Sequence, residues 1–182
     1  MIHRSDGSGT TYAWSDYLSK ISTEWKTAVG IGMTLNWPVG MGAEHNEGVA
    51  ATVQKTPNSI GYVELVFAIQ HQLSFGAVRN AAGEYIRANL ERVTAAAASA
   101  MTGDSVSPSS ITNASGKDSY PIATFTFLLL PKQEKDNQKK AVLFELLQWV
   151  LTSGQKECSA LGYASLPHEL ANRQLQALNS FK

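Results

Sequence analysis

The chain has 182 residues, 43% of them apolar and 16% charged, and its formal net charge is zero. That length suits one ordinary domain or two small lobes, and the balance excludes a disordered chain or one embedded in a membrane. With no basic stripe or Lys/Arg run, nucleic acid is not expected as a partner. Any bound anion must be held by a local site rather than by the overall field.

In chain order, the first ten residues form a loop dense in Gly, Ser and Thr. The chain start, Met1-Ile2-His3-Arg4, has neither a charged n-region nor an apolar core, so no export signal is expected in it. Trp14, Tyr17, Leu18 and Ile21 repeat at helical spacing and predict a helix that Gly30 and Gly32 break. Asn36 to Gly42 is a second Gly-rich turn. Asn46 is positioned to cap a short helix from Glu47 to about Lys55, closed by Pro57-Asn58. Ser59 to Phe67 is rich in β-branched and aromatic residues and predicts a strand. Ile86, Leu90, Val93 and Ala97 stripe a longer helix ending near Gly103, and Thr102 to Asp118 has the composition of a surface connection.

From Ser119 the texture changes. Tyr120 to Leu130 predicts a strong strand, closed by Pro131, and its apolar run is far too short to span a bilayer. The charge run from Lys132 to Lys140 reads as a solvated turn and helix start. Leu143, Leu146, Leu147 and Val150 then predict an amphipathic helix stopping at Gly154. A last helix runs from His168 to Ser180, with Pro167 placed for its first turn. Helices alternating with strands indicate an α/β fold, with no internal repeat.

Little elsewhere points to chemistry. Cys158 alone permits no intrachain disulfide and reads as a small half-buried residue on a C-terminal helix. His3, His45, His71 and His168 lack metal-ligand spacing, so neither a metal nor a cofactor is expected. Trp14, Trp25, Trp37 and Trp149 are assigned to packing rather than to ligand contact. Glu47 and Glu64 could form a carboxylate pair, but a helix N-terminal place accounts for Glu47 through the dipole. A hydrolase triad of Ser8, a histidine and Asp6 finds no suitably placed histidine.

The informative stretch is His3-Arg4-Ser5-Asp6-Gly7-Ser8-Gly9-Thr10-Thr11, immediately before the first helix. The opening N–H groups of a helix have no intrahelical acceptor, and the macrodipole places partial positive charge there. Gly7 and Gly9 permit close backbone approach, and Ser8, Thr10 and Thr11 add hydroxyl donors. Arg4 adds a forked guanidinium matched to an oxyanion. Asp6, two residues on, can hold that guanidinium in one rotamer and so lower the entropy lost on binding. A capped turn is the plainer reading of such a loop. The G-K-[ST] ending of a Walker A loop is absent.

The string R-S-D-G-S-G-T-T closely resembles the second anion-binding loop of the phosphate-binding proteins of bacterial ABC importers, the PstS family. Trp37-Pro38-Val39-Gly40, Asn46-Glu47-Gly48-Val49-Ala50 and Ile60-Gly61-Tyr62-Val63-Glu64 are similar to the family's next segments. Tyr120-Pro121-Ile122, Gly154-Gln155-Lys156 and Leu161-Gly162-Tyr163-Ala164-Ser165-Leu166-Pro167 are similar to its C-terminal part. The similarity covers essentially the whole chain in one register.

The resemblance implies an incomplete type II periplasmic-binding-protein fold, α/β in class. Residues 1–118 would belong to the second lobe, and 119–182 would return into the first, whose N-terminal strands are absent. It also implies that Arg4 contacts inorganic phosphate, with Asp6 salt-linked to it. Ser8 would donate from its hydroxyl, Gly9 from its N–H, and Thr10 from both. The implied partners are an ABC permease of the inner membrane and a missing N-terminal segment or second chain, in a periplasmic or cell-surface setting. The implied function is binding without catalysis. The alternatives are a phosphatase that uses the same loop, and a split half that works only with its N-terminal partner.

In the family, the region ahead of this loop carries the opposite wall of the site and the aspartate that accepts the phosphate proton. With one wall gone, the effective dielectric around Arg4 rises from about 20 toward 80, and its Coulomb energy with the anion falls about fourfold. The chain alone is therefore expected to bind phosphate weakly and to discriminate poorly against sulfate. Phe125, Phe127, Leu143, Leu147 and Val150 are expected to lack their usual cover.

Overall fold

The computed structural model describes residues 1–101, 110–131 and 136–179. It opens with β1 (Ile2–Arg4), α1 (Gly9–Ile21), α2 (Thr23–Ala28), β2 (Met41–Ala43) and α3 (His45–Lys55). β1 and β2 pair in parallel with Ile2 opposite Met41 and Arg4 opposite Ala43. On its other side Ile2 bridges Gly61, also in parallel, and its N–H donates to the Ile60 carbonyl at 2.7 Å. Each parallel neighbour is reached through helices, as parallel pairing requires.

Two glycines make this packing possible. Gly40 sits at φ 114, where an added Cβ would lie 2.7 Å from the Met1 carbonyl oxygen. At Gly61 a Cβ would lie 2.8 Å from Val53 and 3.1 Å from Val49, which is itself fully buried.

α1 holds the expected stripe but ends at Ile21, where Ser22 caps the separate α2 before Gly30, and its buried face differs from the apolar stripe. Thr11, Ala13, Ser15, Asp16, Tyr17 and Ser19 are buried, whereas Ile21 is exposed. Asp16 explains the inversion. Burial alone would raise its carboxyl, but hydrogen bonds from Ser110, Thr112 and Lys20 outweigh that and hold it below its ordinary value. This network fastens α1 to residues 110–112.

Several other expectations need correction. Ser59 to Phe67 is not a strand: it holds the bridge at Gly61 and then enters α4 (Leu65–Gln70). A short apolar run fits either state, and α4 packs on α3 instead of entering a sheet. Ile86 lies in a hairpin, β3 (Ala77–Arg79) with β4 (Tyr85–Arg87), and the helix α5 (Leu90–Ser99) begins after it, capped by the Asn89 side chain. The helix ends at Ser99, capped by Ala100, short of the expected end near Gly103, a residue outside the described ones.

Part of the expected surface connection is core, although Ser115, Lys117 and Asp118 are exposed as expected. Ile111 and Ala114 pack with Ala96, Ala97 and Ala123, and Val93 and Phe125 flank them. Residues 102–109 of that connection lie outside the described residues.

Tyr120 to Leu130 forms no strand. Tyr120 donates its N–H to the Arg92 carbonyl and Pro121 accepts from Asn113. Among the described residues no other segment forms a backbone ladder with 122–130, and a strand is a property of such a pair. Phe127, Leu128 and Leu129 are exposed, Leu129 by 93%.

α6 (Asn137–Leu151) spans the amphipathic stretch, yet none of its residues is buried, and Trp149 is half exposed rather than packed in a core. Residues 132–135 of the charge run lie outside the described residues. Two 3-10 turns, Ser153–Glu157 and Ser159–Leu161, place Cys158 between them rather than on a helix, half-buried. α7 (His168–Asn179) follows, with the Pro167 carbonyl accepting from Ala171, and packs against α6. Ser180 lies outside the described residues. Among the described residues no helix is long and apolar enough to cross a membrane.

Candidate functional site

β1 and β2 run in parallel, and each leads into a helix N-terminus, α1 after β1 and α3 after β2. Ligands of open α/β sheets gather at such carboxyl ends. Arg4 is the last residue of β1, and its side chain is nearly buried, with 8% exposure.

Asp6 grips Arg4 with both carboxylate oxygens. Nε donates to Oδ1 at 2.7 Å and Nη2 donates to Oδ2 at 2.5 Å. The same Oδ1 accepts the backbone N–H of His45 at 3.2 Å, and Oδ2 lies 3.3 Å from His45 Nδ1. Glu44, the residue preceding α3, makes no side-chain cap. Asp6, from the other loop, supplies the acceptor in its place, where the helix dipole favours a negative charge. The Arg4 hydrogen bonds, helped by the His45 N–H, hold the Asp6 carboxyl well below the usual carboxylate range. The Asp6 hydrogen bond in turn raises the Arg4 guanidinium above its ordinary value, against the effect of burial.

Ser8 is the α1 N-cap. Its Oγ accepts from the Thr11 N–H at 3.1 Å, and its own N–H donates to the Met33 carbonyl. Ser8 is buried, Gly9 exposed and Thr10 half-buried. The Gly9 and Thr10 N–H groups find no acceptor among the described residues, as expected for the first turn of a helix. Tyr62 locks strand to helix. Its hydroxyl accepts the Arg4 N–H at 3.1 Å and pairs with Thr11 Oγ1 at 2.7 Å. Arg4, Asp6, Ser8, Gly9 and Thr10 thus lie together at the end of β1 and the start of α1.

Sequence reasoning missed four neighbours. Asn46 is not the α3 cap: it is buried inside the first turn, with Oδ1 3.5 Å from Arg4 Nη1 and Nδ2 donating to Glu64 at 3.1 Å. Glu64 is therefore no partner of Glu47. Tyr62 and His45 complete the set. His45 does sit beside Asp6, but Ser8 Oγ bonds Thr11 and no histidine, so the three do not form a triad. Only recognising Met41–Ala43 as a strand could have revealed this cluster, and its glycine hides it.

Aromatic rings back the site. His3 stacks on Trp37 at 4.9 Å, Trp37 lies 5.6 Å from Trp25 and 5.8 Å from Tyr62, and Trp14 lies 5.9 Å from Tyr62. Among the described residues no group of three or more His, Cys, Asp or Glu could hold a metal ion.

Parallel βα units whose helix N-termini meet at the strand ends define an α/β domain of the periplasmic-binding-protein type. The chain belongs to the PBP superfamily, whose domain matches residues 1–154. It is 43% identical over 178 residues to the phosphate-binding protein PstS of Xylella fastidiosa, covering 97% of this chain and 49% of that protein. It is 41% identical to PstS of Pasteurella multocida, covering 95% of this chain and 51% of that protein. For PstS of Methanocaldococcus jannaschii the identity is 37%, with 100% of this chain and 51% of that protein covered. The chain spans about half the length of these relatives, so the fold is incomplete by comparison with them.

Proposed function

We propose that this chain forms one wall of an inorganic-phosphate site, as part of the solute-binding component of a phosphate ABC importer. Arg4, Ser8, Gly9 and Thr10 contact the anion, and Asp6 holds Arg4 without touching it. The observation that carries this reading is the Arg4–Asp6 grip. Asp6 occupies Nε and one edge of Nη2 and leaves Nη1 with a single long contact, near the α1 N-terminus whose Gly9 and Thr10 N–H groups find no acceptor among the described residues. A guanidinium fixed in this way loses little entropy on binding, and hydrogen bonds to charged groups contribute about 1.5–3 kcal/mol each.

The names of the relatives support phosphate as the ligand. Their greater length supports a second wall supplied by an N-terminal segment or second chain, and their being PstS proteins supports an ABC permease as partner and a periplasmic or cell-surface setting. On this reading residues 1–118 belong to one lobe and 119–182 return into the other. The site binds and performs no chemistry.

Phosphorus-31 NMR titration of the chain tests the site. Weak binding that Arg4→Ala abolishes is expected, with sulfate competing nearly as well. Binding indifferent to Arg4→Ala would overturn the site, and tight, sulfate-blind binding would overturn the single wall. Adding the N-terminal half of a relative should raise both affinity and thermal stability, and phosphomonoester hydrolysis should stay undetectable.

A further inference from the structure

Asn46 and Glu64 have no assigned role, yet they form a polarity-matched bridge to Arg4. A guanidinium only donates and a carboxylate only accepts, so an amide between them is satisfied in one orientation. Asn46 adopts it. Its Nδ2 donates to Glu64 Oε1 at 3.1 Å, and its Oδ1 accepts the Glu64 N–H at 3.4 Å while facing Arg4 Nη1 at 3.5 Å. Turned over, the amide would set NH2 against guanidinium and oxygen against carboxylate. Asn46 is 8% exposed, so water can do little to repair such a mismatch.

The outer carboxylate oxygen of Glu64 is held as well. Tyr163, far along the chain, donates its hydroxyl to Oε2 at 3.2 Å. The line of contacts therefore runs from the C-terminal segment through Glu64 and Asn46 to the one guanidinium nitrogen that Asp6 does not grip. A 3.5 Å contact is too long for a strong hydrogen bond. It orients Nη1 while leaving it able to turn to a better acceptor.

We propose that Asn46 and Glu64 are positioning residues for the Arg4 anion site: Glu64 fixes the Asn46 amide, and the amide oxygen sets the Nη1 edge of the guanidinium. The phosphate part of this inference rests on the reading given under Proposed function; the orientation part does not.

The test is nitrogen-15 NMR of the Arg4 guanidinium in the whole chain, without and with inorganic phosphate, for wild type, Glu64→Gln, Glu64→Ala and Glu64→Asp. Glutamine can still offer an oxygen to Asn46 and should match wild type. Alanine offers nothing, and aspartate keeps the charge but falls a methylene short. Both should speed Nη rotation and weaken the phosphate midpoint about fivefold, the scale of one lost hydrogen bond. Aspartate keeps the carboxylate should the alanine variant fail to fold.

Guanidinium rotation unchanged in Glu64→Asp would overturn the proposal, as would a defect shared equally by Glu64→Gln. If phosphate leaves the wild-type Arg4 signal unmoved, the phosphate reading fails. Faster rotation in Glu64→Asp and not in Glu64→Gln would then still uphold the positioning role.

Discussion

Two regions of this molecule treat polarity in opposite ways. Around β1, α1 and α3 the chain buries Ser8, Thr11, Ser15, Asp16, Ser19 and Asn46 and gives nearly all of them partners. From Phe127 through α6 it exposes Phe127, Leu128, Leu129, Val142, Leu146 and Trp149 and buries no α6 residue. In the first region loops, helix ends and residues 110–112 satisfy most buried polar groups, Trp37 Nε1 excepted. The second has the apolar composition of a core, yet among the described residues only α7 packs on α6 and much of its apolar surface stays exposed. Polar groups find partners within a few ångströms along one chain, whereas an apolar face needs a whole opposing element.

The comparison can be broken at several points. The largest effect should come from Asp16→Ala. Thr112 Oγ1 donates to Asp16 Oδ2 at 2.5 Å, Ser110 at 2.6 Å and Lys20 at 3.1 Å, so the two hydroxyls lose this acceptor while Lys20 keeps only the Ser110 and Thr112 oxygens. Urea unfolding should register a loss of about 3 kcal/mol, limited by the access of the Lys20 ammonium to water. A cost under about 1 kcal/mol would show that the buried polar network is not what supports this region.

Val49→Ala should cost about 2 kcal/mol, the transfer of two methyl groups plus the cavity left at a fully buried site. Tyr62→Phe should cost about 1.5 kcal/mol, since the Arg4 N–H and the Thr11 hydroxyl lose a shared partner. Its circular dichroism should stay unchanged, which separates a lost hydrogen bond from a lost fold.

Acid titration sharpens the same contrast. The folded Asp6 carboxyl is depressed, so the stability it contributes is full above the unfolded value of about 3.9. That contribution is lost as pH falls toward the folded value. Thermal melts of wild type and Asp6→Asn should therefore converge progressively below about pH 3.9, and parallel curves would contradict the grip on Arg4.

The smallest effect belongs to the second region. Leu129→Ser at a 93% exposed position should change stability by less than about 0.5 kcal/mol, although the same change inside a core would be ruinous. A large loss would mean that Leu129 is covered after all.

Part of the site was legible before any coordinates. Arg4 and Asp6 are two residues apart, and Ser8 stands where an N-cap stands, so both relations are nearly local. α3, α6 and α7 fell close to their expected spans for the same reason. Ile86 misled because its spacing to Leu90 and Val93 is helical, while the turn around Gly83 folds it into a hairpin. Ile111 and Ala114 misled because their neighbours are polar, although helix α5 needs a face to pack against.

By itself the sequence determined what adjacent residues can do for one another: a helix start rich in donors, and a guanidinium with its restraining carboxylate. Tertiary structure alone decided that β2 lies beside β1, which brings His45 to Asp6 and Asn46 to the guanidinium, and that Gly61 bridges Ile2, which brings Glu64 to Asn46. It also decided that residues 122–130 join no sheet among the described residues. Local hydrogen bonding and capping are settled within a turn of chain. Sheet pairing and apolar cover depend on which distant segments are there to meet.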